Sequence, residues 1–269
     1  MSTRPLCCAL VFISLTWVNA QAGEARPAVL FVGGIHADYA AKPLHAIGVE
    51  LDTCKHGQLA ERLATGKFNV VVAGTLDDAD RKAAQDFLAK GGGVFLCNPE
   101  AWSESKNFTA TLEWLAQLGA RERWEIFQET DPKNLATDIM GCRLFWSSDI
   151  APPVNEGVKG VLTLTAASTT GWEPPMSFDL SPDWRVVVRG AASTKSVPAE
   201  RNDVYLRPWV PKAGIASAPP LMALREVGKG RLAVMAIRYY WLFTPPTNCP
   251  TTEATVSYTH LTLPTNREV

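Results

Sequence analysis

Apolar residues are spaced in two rhythms along the first half of the chain. Phe68–Ala73 (FNVVVA) and Val94–Cys97 (VFLC) are almost unbroken apolar runs. That pattern predicts strands covered on both faces, as in a parallel sheet. Between them, Ala83, Ala84, Phe87 and Leu88 recur at helical spacing, which leaves Asp80, Arg81, Lys82 and Asp86 to the remaining surface. Thr75 or Asp77 can cap the start of this helix through a short oxygen side chain. Gly91-Gly92-Gly93 ends it near Lys90, because glycine enters the left-handed region without a Cβ clash. Lys67–Asn98 thus reads as strand, helix, strand, and the rest of the chain is arranged around that unit.

Upstream, Ala28–Val32 predicts a first strand and Tyr39–Ile47 a short helix that Pro43 starts or kinks. Val49–Thr53 alternates, as an edge strand does, and Gln58–Ala64 suits a second helix. Asn107–Leu118 follows with Leu112, Leu115 and Leu118 on one face, and then a strand-like Trp124–Phe127. From about Thr130 proline, glycine and serine increase and helical spacing fades. Short strands are expected at Cys142–Trp146, Val161–Thr165, Trp184–Arg189 and Val204–Val210. Leu221–Ile237 reads as two strands around a Gly228-Lys229-Gly230 turn that wants positive φ. The expected fold class is α/β: a doubly wound, flavodoxin-like parallel sheet over about 28–128, with a β-rich C-terminal extension over about 140–243 ending in the hairpin.

Composition narrows the function classes. The 269 residues carry a formal net charge of −1, which gives no support for nucleic-acid binding. Arg4, the apolar run Leu6–Val18 and the small-residue sites at Ala20 and Ala22 make residues 1–22 a secretory signal peptide. A secreted or periplasmic protein with no stable membrane insertion after cleavage is therefore expected. Cys54, Cys97, Cys142 and Cys249 are too few for a disulfide scaffold. In the strand order 2-1-3-4, Cys54 and Cys97 would lie about 14 Å apart, beyond disulfide reach.

Three stretches together resemble the class I glutamine amidotransferase-like superfamily, in its ThuA-like (trehalose utilisation) branch. They are Gly91-Gly92-Gly93 between helix and strand, Pro153–Lys159 (PVNEGVK), and Ala223–Val234 (ALREVGKGRLAV). The resemblance covers about Ala28–Ile237 and places an amidotransferase-like domain at 23–253. It implies a flavodoxin-like sheet and a carbohydrate context. It also implies a cysteine on a Gly-x-Cys-x-Gly elbow activated by a later histidine, yet Cys97 stands in Leu96-Cys97-Asn98-Pro99 and no histidine follows His56 until His260. Asn98 and Ile237-Arg238 occupy the places where ThuA-like proteins often carry histidine. Val256–Val269 resembles translated sequencing adapter, so 254–269 is expected to be an artefactual tail and the native chain to be truncated near Glu253.

Ligands of open α/β sheets bind beyond the carboxyl ends of the strands, which singles out His36, Asp38, Thr75, Asn98 and Glu100 as ligand-binding candidates. His36 with Asp38 could move protons, but without a third ligand type they predict no metal site. Asn98 and Glu100 could hold a sugar hydroxyl or cap the next helix. The tryptophans at 102, 114, 124, 172, 184, 209 and 241 suit sugar faces or the core. No catalytic residue and no cofactor is expected. The anticipated partners are a carbohydrate or other small molecule, a second copy, or a downstream domain of the same chain. The reading is a non-catalytic binding or assembly module; the alternative is a ThuA-like sugar hydrolase or isomerase using His36, Asp38 and Glu100.

Overall fold

The computed structural model describes residues 27–33, 37–97, 106–123, 125–137, 143–155, 160–164, 177–198 and 214–235. The signal-peptide and tail segments, Cys142, Cys249, the strand at Val204–Val210 and five of the tryptophans noted above (102, 124, 172, 209 and 241) lie outside them.

The first half alternates strand and helix: β1 (Ala28–Val32), α1 (Ala37–Ala46), β2 (Glu50–Cys54), α2 (Leu59–Ala64), β3 (Val70–Ala73), α3 (Asp78–Ala89), β4 (Gly93–Cys97) and α4 (Lys106–Gln117). Every residue of β1, β3 and β4 is buried, as continuous apolar runs require. Each large side chain so placed contributes roughly 1.5–3 kcal/mol. The alternating β2 is largely solvated and sits at the sheet edge. α1 runs through Pro43. Asp77 is the cap of α3, its carboxylate accepting from the Asp80 N–H at 2.7 Å. At the other end Gly91 takes φ +103. The Gly92 N–H then bonds Phe87 O at 2.9 Å and the Gly91 N–H bonds Leu88 O at 3.0 Å, the paired bonds of a Schellman ending.

The second half is almost entirely strand: β5 (Ala120–Arg123), β6 (Glu125–Glu129), β7 (Leu135–Thr137), β8 (Arg143–Ser147), β9 (Asp149–Ile150), β10 (Val161–Leu164), β11 (Ser177–Leu180), β12 (Arg185–Arg189), β13 (Thr194–Pro198), β14 (Pro220–Val227) and β15 (Gly230–Met235). Small sheets β10-β8-β7, β11-β5 and β13-β6 account for seven of these strands. The other four complete an eight-stranded sheet ordered β2-β1-β3-β4-β15-β14-β12-β9. The pairings from β2 through β15 are parallel and the rest antiparallel. The late hairpin therefore returns to the central sheet, with β15 lying parallel against β4. The chain has an α/β fold, and the order 2-1-3-4 expected for its first four strands is the order found.

Two glycine motifs that lie far apart in sequence meet at this seam. Gly228 has φ +64 in the two-residue turn, and Arg231 N–H bonds Gly92 O at 3.2 Å. A methyl group on Gly230 would fall 2.3 Å from Gly92 O and 2.6 Å from Leu88 O. Glycine is needed there because the turn lies directly on the end of α3.

Packing also accounts for the described tryptophans and thiols. Trp114, Trp146 and Trp184 are buried, and Trp184 Nε1 donates to Leu118 O at 2.7 Å. Cys54 and Cys97 are free thiols on strands separated by β1 and β3.

Candidate functional site at the carboxyl rim

The carboxyl ends of β1, β2, β3 and β4 are followed by Gly33, Lys55, Gly74 and Asn98. The change of chain direction between β1 and β3, where such sheets open a crevice, lies between the first and third of these. His36, Asn98 and Glu100 fall outside the described residues. Of the remaining candidates, Asp38 is exposed in the first turn of α1 and Thr75 is buried after β3. No hydrogen bond joins them among the described residues. The β3–α3 loop is instead clasped to α4: Thr111 Oγ1 accepts from the Leu76 N–H at 3.0 Å and donates within α4 to Asn107 O at 2.7 Å.

The chemistry that the structure does assemble at this rim comes from His56 and Asp80. Asp80 is fully buried, which corrects its expected place on the helix surface. Its Oδ1 accepts from the Leu59 N–H at 3.1 Å and its Oδ2 from the Gly57 N–H at 2.9 Å. The α2 cap residue, Gln58, makes no side-chain cap bond, so a carboxylate from α3 caps α2 across space. His56 Nδ1 lies 3.4 Å from Asp80 Oδ2, with the His56 side chain 38% exposed.

Burial is the largest influence on the Asp80 carboxyl and opposes its ionisation. His56 and the two backbone N–H groups together outweigh it and hold the carboxyl below its ordinary value. The other imidazole nitrogen points toward the end of β1. Gly33 takes φ +82 there, and a Cβ on it would fall 3.1 Å from His56 Nε2. Glycine at 33 thus gives the ring its place, while Asp80 fixes the ring's orientation.

The thiols contrast with this pair. Cys97, at the end of β4, is 1% exposed, and burial pushes its thiol well above the ordinary value. Cys54 is pushed up to about 11, first by burial and then by the Asp80 charge. Neither supplies thiolate near neutral pH. Among the described residues no cluster of three His, Cys, Asp or Glu side chains could hold a metal, and no helix is long and apolar enough to cross a membrane.

No protein-family model matches the sequence, and no curated protein matches it. Several solved structures resemble the fold at low identity. A protein described as ThuA-like from Bacteroides uniformis is 13% identical over 88% of this chain and 90% of that one, with a TM-score of 0.41. A β-galactosidase from Bacillus circulans is 12% identical over 86% of this chain and 30% of that one, with a TM-score of 0.40. The carbohydrate deacetylase Agd3 is 13% identical over 80% of this chain and 29% of that one, with a TM-score of 0.43. The chain thus spans less than a third of the length of either enzyme.

Proposed function

We propose that this chain is an exported, non-catalytic binding or assembly domain on a flavodoxin-like, doubly wound amidotransferase-type scaffold of the ThuA-like kind. It takes a carbohydrate-class ligand at the carboxyl rim of the parallel strands and belongs to a larger protein. The observation that carries the non-catalytic part is Cys97, the residue at the place where the resemblance would put a nucleophile. It lies in the apolar interior of β4 with its thiol held protonated, and the one described histidine at the rim pairs with Asp80. Thiol attack needs an accessible thiolate next to a base. The carbohydrate class rests on the motif resemblance, and export on the leader pattern at residues 1–22.

A sugar hydrolase or isomerase is the second reading, and a different observation favours it. His56 is an imidazole oriented by a buried carboxylate, the arrangement a general base requires. In that reading it would join Asp38, His36 and Glu100. Calorimetry with neutral oligosaccharides, run beside assays for glutamine and aryl-glycoside hydrolysis, separates the two. The binding-domain reading expects saturable binding without turnover, and His56→Ala weakening that binding about fivefold, the loss of one hydrogen bond. Turnover abolished by His56→Ala while binding persists would establish the second reading instead.

A further inference from the structure

At the opposite, amino-terminal rim of the parallel strands, a cavity of about 640 Å³ opens beside β12, β14, β15 and the turn at Pro152-Pro153. That volume lies within the ordinary range of small-molecule sites. Pro152, Pro153 and Leu224 give it an apolar side, and five charged residues line the rest.

Three of the five charges are already committed. Arg225 pairs with Asp183 at 3.3 Å and also donates to Leu118 O. Arg231 has a partner of its own and takes no part in the site. The other two are Arg185 of β12 and Glu226 of β14, both exposed. Neither makes an ion pair or a side-chain hydrogen bond among the described residues.

Strand register brings these two together. Arg185 stands opposite Leu224, and Glu226 lies two residues beyond Leu224 on β14. Directly opposed residues share a sheet face, as do residues two apart on one strand. Arg185, Leu224 and Glu226 therefore project from one face. Arg185 and Glu226 are diagonal neighbours on it, with Cα atoms roughly 7–8 Å apart. One cation and one anion thus flank an apolar floor.

We propose that this cavity binds a small zwitterion of the amino-acid class. Arg185 takes the α-carboxylate, Glu226 takes the α-ammonium, and an apolar side chain lies against Leu224 and the two proline rings. The guanidinium fork matches a carboxylate with two parallel N–H bonds, and an ammonium offers three donors to the Glu226 carboxylate. A single α-amino acid therefore supplies both counter-charges. A neutral sugar supplies neither, and a simple anion meets Glu226 as a like charge. The site is independent of the carboxyl rim and of the carbohydrate reading.

The test is calorimetry of the full chain at pH 7 and low salt, where exposed charges are least screened, with leucine, N-acetyl-leucine and leucinamide. Leucine is expected to bind, and each blocked derivative to bind about tenfold or more weakly, because each lacks one charge-assisted contact. Arg185 and Glu226 are exposed, so Arg185→Gln and Glu226→Gln should both fold normally. Arg185→Gln is expected to weaken leucine binding about tenfold and to erase the preference over leucinamide, while that over N-acetyl-leucine persists. Glu226→Gln is expected to do the converse. Lys82→Gln, on the exposed face of α3, is expected to change nothing. No binding of leucine, equal binding of the three compounds, or equal losses in the Arg185 and Lys82 variants would overturn the proposal.

Discussion

Asp80→Ala is expected to destabilise the protein by about 3 kcal/mol, measured as the shift in urea unfolding at pH 7. The carboxylate holds two backbone N–H groups at the start of α2 and faces the His56 ring. Hydrogen bonds to a charged group are each worth about 1.5–3 kcal/mol, and removing the acceptor leaves the donors at the start of α2 without it. Asp80→Asn should recover part of the loss, since the amide oxygen still accepts one of the two backbone bonds. The pH dependence follows from the lowered carboxyl of Asp80. Its contribution is fully present above the unfolded aspartate pKa of about 3.9 and is lost as pH falls through the lower folded value. The gap between wild type and Asp80→Asn should therefore close only below about pH 4. Unfolding curves for wild type and Asp80→Ala that coincide at pH 7 would mean that the trans-cap is not made.

Glu122→Leu should do the opposite and stabilise the protein at pH 7 by about 1–3 kcal/mol, the cost of burying a polar group without a partner. Glu122 lies on β5 opposite the buried Phe178 of β11. Both its carboxyl oxygens are buried, and among the described residues neither has a hydrogen-bond partner. Burial pushes the carboxyl well above its ordinary value. A raised acid contributes stability that is full below the unfolded pKa, about 4.3 for glutamate, and falls as pH rises toward the folded value. Wild-type stability should therefore carry a downward slope above about pH 4 that the leucine variant lacks. A variant less stable than wild type across pH 5–8 would show that a partner satisfies Glu122.

The parallel strands of the first half are legible because their burial is continuous. A run such as Val70–Ala73 has one physical use, a strand covered on both faces. The helix end at Gly91 and the hairpin turn at Gly228 are legible because each needs a backbone conformation that glycine adopts cheaply. The contact between these two motifs is not, because spacing along the chain does not say which strand lies beside β4. Local reading therefore makes the late hairpin an extension, whereas in the structure β15 is the fifth strand of the central sheet. Of the small-sheet strands, β8 and β10 are legible as the apolar stretches at Cys142–Trp146 and Val161–Thr165, whereas β11 and β13 are short and carry few apolar residues, so no periodicity marks them.

Asp80 shows a different failure. Helical spacing puts position 80 on the same face as Ala84, Phe87 and Leu88, and that face is buried or half-buried. Charge suggested surface where periodicity already implied interior. A buried aspartate on such a face calls for a partner, and the nearest histidine in sequence, His56, is its partner. At the rim the sequence singled out Asp38 and Thr75 by position alone, and no hydrogen bond joins them among the described residues.

The proposed function requires that the thiol at the end of β4 belong to the core and do no chemistry. Peptide-resolved alkylation tests it most directly: native protein is treated with iodoacetamide across pH 6–9, and the Cys97 peptide is quantified against a denatured control. Negligible Cys97 labelling is expected in the folded protein at every pH, and complete labelling after denaturation. Rapid native labelling of Cys97 that saturates below about pH 8, the signature of an activated thiolate, would contradict it.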